Sequence, residues 1–329
     1  MKPITVKDVA RAAEVSVATV SRVLNGNDTV DDALRQRVIA AAEKLDYRPN
    51  RLARNLRTNS TTLVALVLPD IQNPFFVAVA RGVEEVTFRE GYTLLVCNTD
   101  DEQRRETSYF QVLNDEVVAG IIVCATDEER AHKEMLTALK RGVAVVALDR
   151  YLKDLPVDSV LSDNVAGAYH AVSYLIELGH RRIGLVAGAS HYTPGRERRL
   201  GYEQALADHG LALDADLIQT TNFRTSGAEV ATRALLNLAE PPTALFISSG
   251  NLAPGSLRIV NRRKLRIPDD ISILLFDDPE WAGAYNPPLT AVAQDTRELG
   301  IMAGRLLLQR IRGAETPPQE WRLPTQLIV

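Results

Sequence analysis

The side chains able to do chemistry in this 329-residue chain form two sets. The first is basic and lies near the N-terminus. Residues 1–60 carry 11 Lys/Arg against 7 Asp/Glu, a net +4, while the remaining residues net −8. Four arginines, Arg48, Arg51, Arg54 and Arg57, fall within ten positions. A small basic head on an acidic body suggests that the head meets a polyanion while the body does something else. Arg22 can donate two hydrogen bonds to guanine O6 and N7. Ser16, Thr19 and Ser21 bring hydroxyls suited to phosphates or base edges, and Asn25 brings an amide. The second set is spread through the body. Carboxylates, arginines and amides along it could supply the forked donors and acceptors that a polyol requires. A nucleobase would ask for fewer carboxylates and more flat stacking.

Signatures of catalysis are missing. No GxGxxG follows an apolar run, since Gly184, Gly188 and Gly195 have the wrong spacing, and there is no P-loop. HExxH, CxxC and GxSxG do not occur, and the five histidines are scattered. Neither an enzyme, a cofactor nor a metal centre is expected. With 46% hydrophobic and 24% charged residues, the composition excludes disorder, a collagen-like chain and a disulfide scaffold. Cys97 and Cys124 each sit inside an apolar run, which suits a reducing compartment. No uninterrupted stretch of about 18 apolar residues exists, and Met1–Thr5 contains no apolar signal core. The expectation is a soluble cytoplasmic protein with no membrane partner.

The elements that must position these groups follow from apolar spacing. Thr5 is a plausible N-cap, supported by Asp8, and Val6, Val9, Ala10 and Ala13 share one helical face. Ser16 can cap a second short helix whose Val20, Val23 and Leu24 face the same core. Asn25-Gly26 ends it, and a third helix after Asp31 carries Leu34, Val38, Ala42 and Leu45. Three short helices with a tight turn between the first two describe a helix-turn-helix. Pro49 then breaks the chain, and Asn50 can cap an eight-residue run at 51–58, too short to be a stable helix alone.

Beyond residue 62 apolar runs alternate with helical patterns. Strands are expected at 62–68, 92–97, 118–124 and 143–148, and again at 182–187, 216–220, 243–248 and 271–276. Helices are expected near 75–90, 102–114 and 128–141 in the first half, and near 164–178, 196–209, 226–238 and 252–264 in the second. Apolar strands covered by helices indicate parallel sheets buried on both faces. Two such halves face each other across a cleft, with ligands at the carboxyl ends of the strands.

The run KDVARAAE at 7–14 followed by VSVATVSRVLN at 15–25 closely resembles the DNA-binding head of LacI-type (LacI/GalR family) transcriptional regulators. The body resembles the periplasmic sugar-binding fold that these regulators attach to it, so the resemblance covers essentially the whole chain. It implies a multidomain protein: a small all-α helix-turn-helix head over 1–48, a hinge helix over 49–60, and a periplasmic-binding-protein-like α/β core over 61–329. The core would hold two doubly wound parallel-sheet subdomains, about 61–161 with 292–322, and about 162–291 with 323–329.

The resemblance also implies roles. The second helix lies in the major groove, where Val17 and Ala18 help choose the operator and Arg22 reaches a base edge. Leu56 of the hinge wedges into the minor groove, flanked by Arg51, Arg54 and Arg57 on the backbone. Thr5, Ser16, Thr19, Ser21, Asn25, Asn50 and Ala53 complete the DNA-contacting set. In the cleft, Asn73 with Phe75 and Phe76 would supply an aromatic face to a sugar or base. Asp149, Arg150, Arg196, Phe223, Ser249, Asp277 and Gln294 complete the ligand set.

Several positions depart from the family pattern. Glu14 and Asp46 stand where glycine is usual; Asp tolerates a left-handed backbone fairly well, whereas Glu costs on the order of 1 kcal/mol. Ser249-Gly250-Asn251 replaces a common Asn-Asp, and Ala253-Pro254-Gly255 alters a helix start. The function implied is a homodimeric repressor of a pseudo-palindromic double-stranded operator, released by a small-molecule effector, a monosaccharide or sugar acid. A nucleobase, a sugar phosphate or a protein corepressor stays open, as does the sign of the response.

Overall fold

The computed structural model describes residues 4–24, 30–47, 61–115, 118–129 and 132–329. The chain divides into two compact units, Met1–Thr61 and Thr62–Val329. The expected hinge helix over 49–60, with Asn50, Arg51, Ala53, Arg54, Leu56 and Arg57, lies outside the described residues, as do Asn25 and Arg48.

In the first unit, helices Val6–Ala12, Val17–Leu24 and Asp32–Lys44 close around a small core of Val9, Ala10, Ala13, Val20, Val23, Val38, Ala41 and Ala42. The small side chains let three short helices approach closely enough to exclude water. Each start is capped by its own sequence. Thr5 N and Oγ1 donate to Asp8 Oδ2 at 2.9 and 2.6 Å, Ser16 Oγ accepts from Thr19 N at 3.1 Å, and Asp31 Oδ1 accepts from Ala33 N at 3.0 Å. The two glycine replacements do sit on left-handed backbone, Glu14 at φ 54° and Asp46 at φ 44°. Arg37 spans the turn, donating to Ala13 O at 2.7 Å and to Glu14 Oε2 at 3.3 Å.

The second unit holds two six-stranded sheets. The first contains β1 (Leu63–Leu68), β2 (Thr93–Asn98), β3 (Gly120–Val123), β4 (Ala144–Leu148), β5 (Asp158–Ser162) and β11 (Glu320–Leu323), in the order β11-β5-β4-β3-β1-β2. The second contains β6 (Ile183–Ala187), β7 (Ile218–Thr220), β8 (Ala244–Ile247), β9 (Ser272–Phe276), β10 (Thr290–Gln294) and β12 (Thr325–Ile328), in the order β12-β10-β9-β8-β6-β7. Helices cover both faces of each sheet, so the strands read as almost unbroken apolar runs.

Three features differ from the sequence reading. β12 runs antiparallel to β10, so the second sheet is mixed. β5, β10, β11, β12 and the helices Glu280–Ala284 and Thr296–Ile311 were not among the expected elements. β10 belongs to the second sheet, so the crossing between halves falls after Gln294 and not at 292. The chain therefore crosses three times: between β5 and the helix Asn164–Glu177, between β10 and Thr296–Ile311, and between β11 and β12. Helix Thr296–Ile311 returns to the first half by packing on helix Pro74–Arg89 backbone to backbone. A Cβ on Gly82 would meet Arg297 O at 2.2 Å, and one on Gly300 would meet Val79 O at 2.1 Å.

Candidate functional site

Strand ends build the site. The carboxyl ends of β1, β4, β8, β9 and β10 deliver Asp70, Asp149, Ser249, Asp277 and Gln294 to one cavity between the two halves. Asn73 caps helix Pro74–Arg89 by accepting from Phe75 N at 3.1 Å, which sets Phe75 and Phe76 at the cavity wall. The two rings meet edge to face, 4.9 Å apart. Four lining residues hold left-handed backbone: Asp101 (φ 57°), Asp149 (φ 63°), Phe223 (φ 59°) and Asp277 (φ 78°). Non-glycine residues in this region are strained, and strain of this kind gathers at binding sites. The Phe223 ring lies over Gly188, whose missing Cβ would come within 1.9 Å of it.

The polar groups divide into paired and available. Arg150 is fully committed: it donates to Asp101 Oδ1 at 2.8 Å and Ala125 O at 2.7 Å, and its guanidinium stacks 3.5 Å from the Tyr192 ring centroid. Arg198 donates to Asn164 Oδ1 at 2.9 Å and Ser248 O at 2.8 Å while stacking on Phe276. Burial pushes its pKa down, opposed by the carboxylates of Asp277 and Asp149. Asp277 accepts from Gly250 N at 2.8 Å, from Ser249 Oγ at 3.2 Å and from Gln294 Nε2. Gln294 Oε1, on the same amide, is buried without a hydrogen-bond partner. Among the described residues the Asp149 carboxylate meets only the weak Cys124 thiol donor, at 3.8 Å. Burial raises its pKa to about 6 against the pull of Arg198 and Arg150.

Contacts across the cleft hold the halves together. Arg224, from the second half, donates to Asp70 Oδ2 at 3.0 Å and to Asp100 O at 2.8 Å. Tyr192 Oη donates to Thr126 O at 2.8 Å, and Thr193 N donates to Glu128. Glu106 supports this corner by accepting from Thr126 N at 2.7 Å, and burial lifts its pKa to about 7.

Nine of the ten ligand residues expected from sequence line the cavity: Asn73, Phe75, Phe76, Asp149, Arg150, Phe223, Ser249, Asp277 and Gln294. Arg196 does not. Its half-exposed side chain turns to Glu128 Oε2 at 3.3 Å and Thr193 Oγ1 at 3.2 Å, while Arg198 lines the cavity in its place. Positions 196 and 198 lie about 200° apart on a helix, so only one can face the cleft. Sequence reasoning also missed Asp101 and Arg224. Neither belongs to a motif, and each enters through a pairing across the fold. No group of three or more His, Cys, Asp or Glu that could hold a metal occurs among the described residues.

On the head, Val17, Ala18 and Arg22 are exposed on one side of the second helix, opposite buried Val20 and Val23. Thr5 and Ser16 spend their hydroxyls on the helix caps, with Ser16 Oγ 2.9 Å from Thr19 Oγ1. Ser21 is half-buried. No helix among the described residues is long and apolar enough to cross a membrane.

Comparison with known proteins bears on both units. Residues 5–50 match the profile of bacterial regulatory proteins of the lacI family, and residues 172–329 match a periplasmic binding protein-like domain. The transcriptional regulator DegA of Bacillus subtilis is 36% identical over 329 residues, covering 99% of this chain and 96% of the relative. The ribose operon repressor of Halalkalibacterium halodurans is 35% identical over 325 residues, covering 99% and 96%. The crystal structure of the lac repressor dimer bound to operator and the anti-inducer ONPF superposes with a TM-score of 0.87 at 27% identity, covering 100% of this chain and 98% of that one.

Proposed function

The chain belongs to the LacI family of bacterial DNA-binding transcription repressors, which are not enzymes, and on that premise we propose that it is a homodimer released from its operator by a neutral sugar ring bound in the cleft. The observation that carries the effector class is the buried, unpartnered Gln294 Oε1 beside Asp277. An orphaned acceptor next to a carboxylate costs stability until a hydroxyl donates to it. Asp149, poor in donors, is a second such acceptor. A pyranose or furanose supplies adjacent hydroxyls for both, and its C–H face suits Phe75 or Phe223. The cavity's guanidiniums are already occupied: Arg150 and Arg224 by carboxylates, Arg198 by an amide and a carbonyl oxygen. That disfavours a sugar acid or sugar phosphate relative to a neutral sugar, since an anion would compete with carboxylates already in place. The name of the ribose operon repressor is consistent with this class.

On DNA, Val17 and Ala18 would meet thymine methyls and Arg22 a guanine, and Thr19, with Arg51, Arg54 and Arg57 of the hinge, would meet the backbone. A second copy fits the exposed edge of the first sheet, where Leu95 and Val96 on β2 and Ile71 and Val77 beside it leave an apolar face in water. Arg224 links that face to the cleft, because Asp70 and Asp100 flank Ile71 and the end of β2. Cleft closure that shifts these residues would couple sugar to operator by about 1–3 kcal/mol, roughly 5–150-fold in affinity.

A thermal-shift screen against pentoses and hexoses tests the assignment, with Gln294→Ala alongside. A sugar at 100 times its Kd should stabilise by about 2.7 kcal/mol, and Gln294→Ala should erase that shift. A purine or an anionic sugar that shifts the wild type while every neutral sugar leaves it unmoved would overturn the class.

A further inference from the structure

Helix Thr193–Asp208 starts without a cap of its own. Its N-cap position is Tyr192, whose side chain makes no bond to the first turn, where Asp, Asn, Ser or Thr is usual. The cap comes from the opposite half. Glu128, buried on the segment that follows β3, accepts from Thr193 N, the first amide of the helix. A carboxylate at that point also meets the positive end of the helix dipole. Thr193 is fully buried and is held a second time, because its Oγ1 accepts from Tyr151 N, just beyond β4, at 3.1 Å. Tyr192 adds a third tie by donating from Oη to Thr126 O at 2.8 Å. Arg196, one turn into the helix, donates to Glu128 Oε2 at 3.3 Å and to Thr193 Oγ1 at 3.2 Å. Two consecutive residues of the second half are thus tied by three hydrogen bonds to the segments that leave β3 and β4. The next residue, Pro194, and Arg198 of the same helix line the cavity.

We propose that Glu128 is the latch of the cleft: a helix cap supplied by the opposite half, made only while the halves are closed, so that closing the cleft and completing the helix start are one event. Its link to the effector rests on the cleft being the sugar site. Opening the cleft removes the cap from the helix and the helix amide from the carboxylate together. A hydrogen bond to a buried carboxylate contributes more net stability than a partly exposed ion pair. The pairs of Arg224 with Asp70 and Asp100 are of that weaker kind, so the buried corner carries more of the balance between open and closed. Apparent affinity for a molecule enclosed by the cleft scales with the closed fraction, so a weaker latch lowers it by the same factor.

Amide hydrogen exchange of the full-length protein without ligand tests the latch. Glu128→Ala is expected to speed exchange at least about tenfold around Thr193 and around Tyr151. Tyr151 is the informative position: Glu128 does not touch its amide, which donates to Thr193 Oγ1 across the cleft and is released only when the halves part. Glu128→Gln keeps an acceptor without the charge and should speed both segments by only a few-fold. Acceleration around Thr193 alone would make Glu128 a local cap and overturn the latch; no change at either segment would also overturn it. Titration with D-ribose, D-glucose and D-galactose gives the second readout. A sugar that binds the wild type should bind Glu128→Ala more weakly, by about the factor seen in exchange. An unchanged Kd beside faster exchange at both segments overturns the coupling to the effector. Silence to all three sugars in the wild type counts against the sugar reading, and the exchange result still decides the latch.

Discussion

The two halves of the core share one strand order and differ at both edges, β11 running parallel where β12 runs antiparallel. β2 and β7 occupy equivalent outer positions in their sheets. β2 is six residues long, reads TLLVCN, and exposes Leu95 and Val96; β7 is three residues long, reads IQT, and carries no large exposed apolar side chain. A short polar edge is the usual protection of a sheet against unwanted pairing. The first half lacks that protection where Ile71 and Val77 add further apolar surface. The contrast teaches that the two edges are unequally protected, and under the proposed homodimer the first half is the one a second copy would hold. On that proposal the half free to move carries Arg224, Ser249 and Asp277, and the held half carries the Phe75–Phe76 wall.

The most damaging test of this contrast is a charge on each edge. Val96→Glu should cost about 3 kcal/mol of association, roughly 100-fold in dimer Kd, and sedimentation should report a monomer at concentrations where the wild type is dimeric. Gln219→Glu, at the matching edge of the second half, should leave the mass unchanged. Equal effects would break the comparison.

A second test concerns the held half. The Asp149 carboxyl is raised to about 6 in the fold against an ordinary value of 3.8, so folding with it ionised is unfavourable. That cost is present above about pH 6 and vanishes as pH falls toward 4; the sugar-free protein should therefore gain stability on acidification, on the order of 2 kcal/mol from this group. Urea melts at pH 7 and pH 5 should show Asp149→Asn losing most of that gain. Glu106, raised to about 7, contributes with the same sign and makes the wild-type dependence steeper.

Arg224→Ala removes the clasp between halves. Its pairs with Asp70 and Asp100 are partly exposed, so the loss should be about 1 kcal/mol, read as a several-fold weaker response of operator affinity to sugar with the dimer intact. The smallest effect is expected in the head, outside either half. Glu14→Gly relieves the left-handed strain at φ 54° and should raise the melting stability of the head by about 1 kcal/mol or somewhat less, because Arg37 loses a partner and glycine loses more entropy.

Much of the architecture was legible because buried parallel strands are nearly continuous apolar runs. TLVALVL, VAVVAL and ISILLF announce β1, β4 and β9 without reference to anything distant. β5 is hidden by its composition: DSVLS is bounded by polar residues, and Asp158 is buried because Arg310, 152 positions away, donates to both its carboxyl oxygens. β11 and β12 are edge strands, β11 largely exposed and β12 alternating, with little apolar signal. In the site, the strand-end motifs around Asp149 and Asp277 carried a local signature. The choice among Arg196, Arg198 and Arg199 did not, because it depends on the rotation of helix Thr193–Asp208, set by Gly201 packing against Val165 O and by Arg198 stacking on Phe276.

By itself the amino-acid sequence determined the helix-turn-helix, the two-part α/β body and the chemical types gathered at the strand ends, because capping, periodicity and apolar runs are local properties of the chain. Tertiary structure alone decided which arginine enters the cleft, which carboxylates are neutralised before a ligand arrives, and which sheet edge stays apolar in water. Each of those depends on residues far apart in sequence being brought within a few ångströms, where burial and pairing, not residue type, set what a side chain can still do.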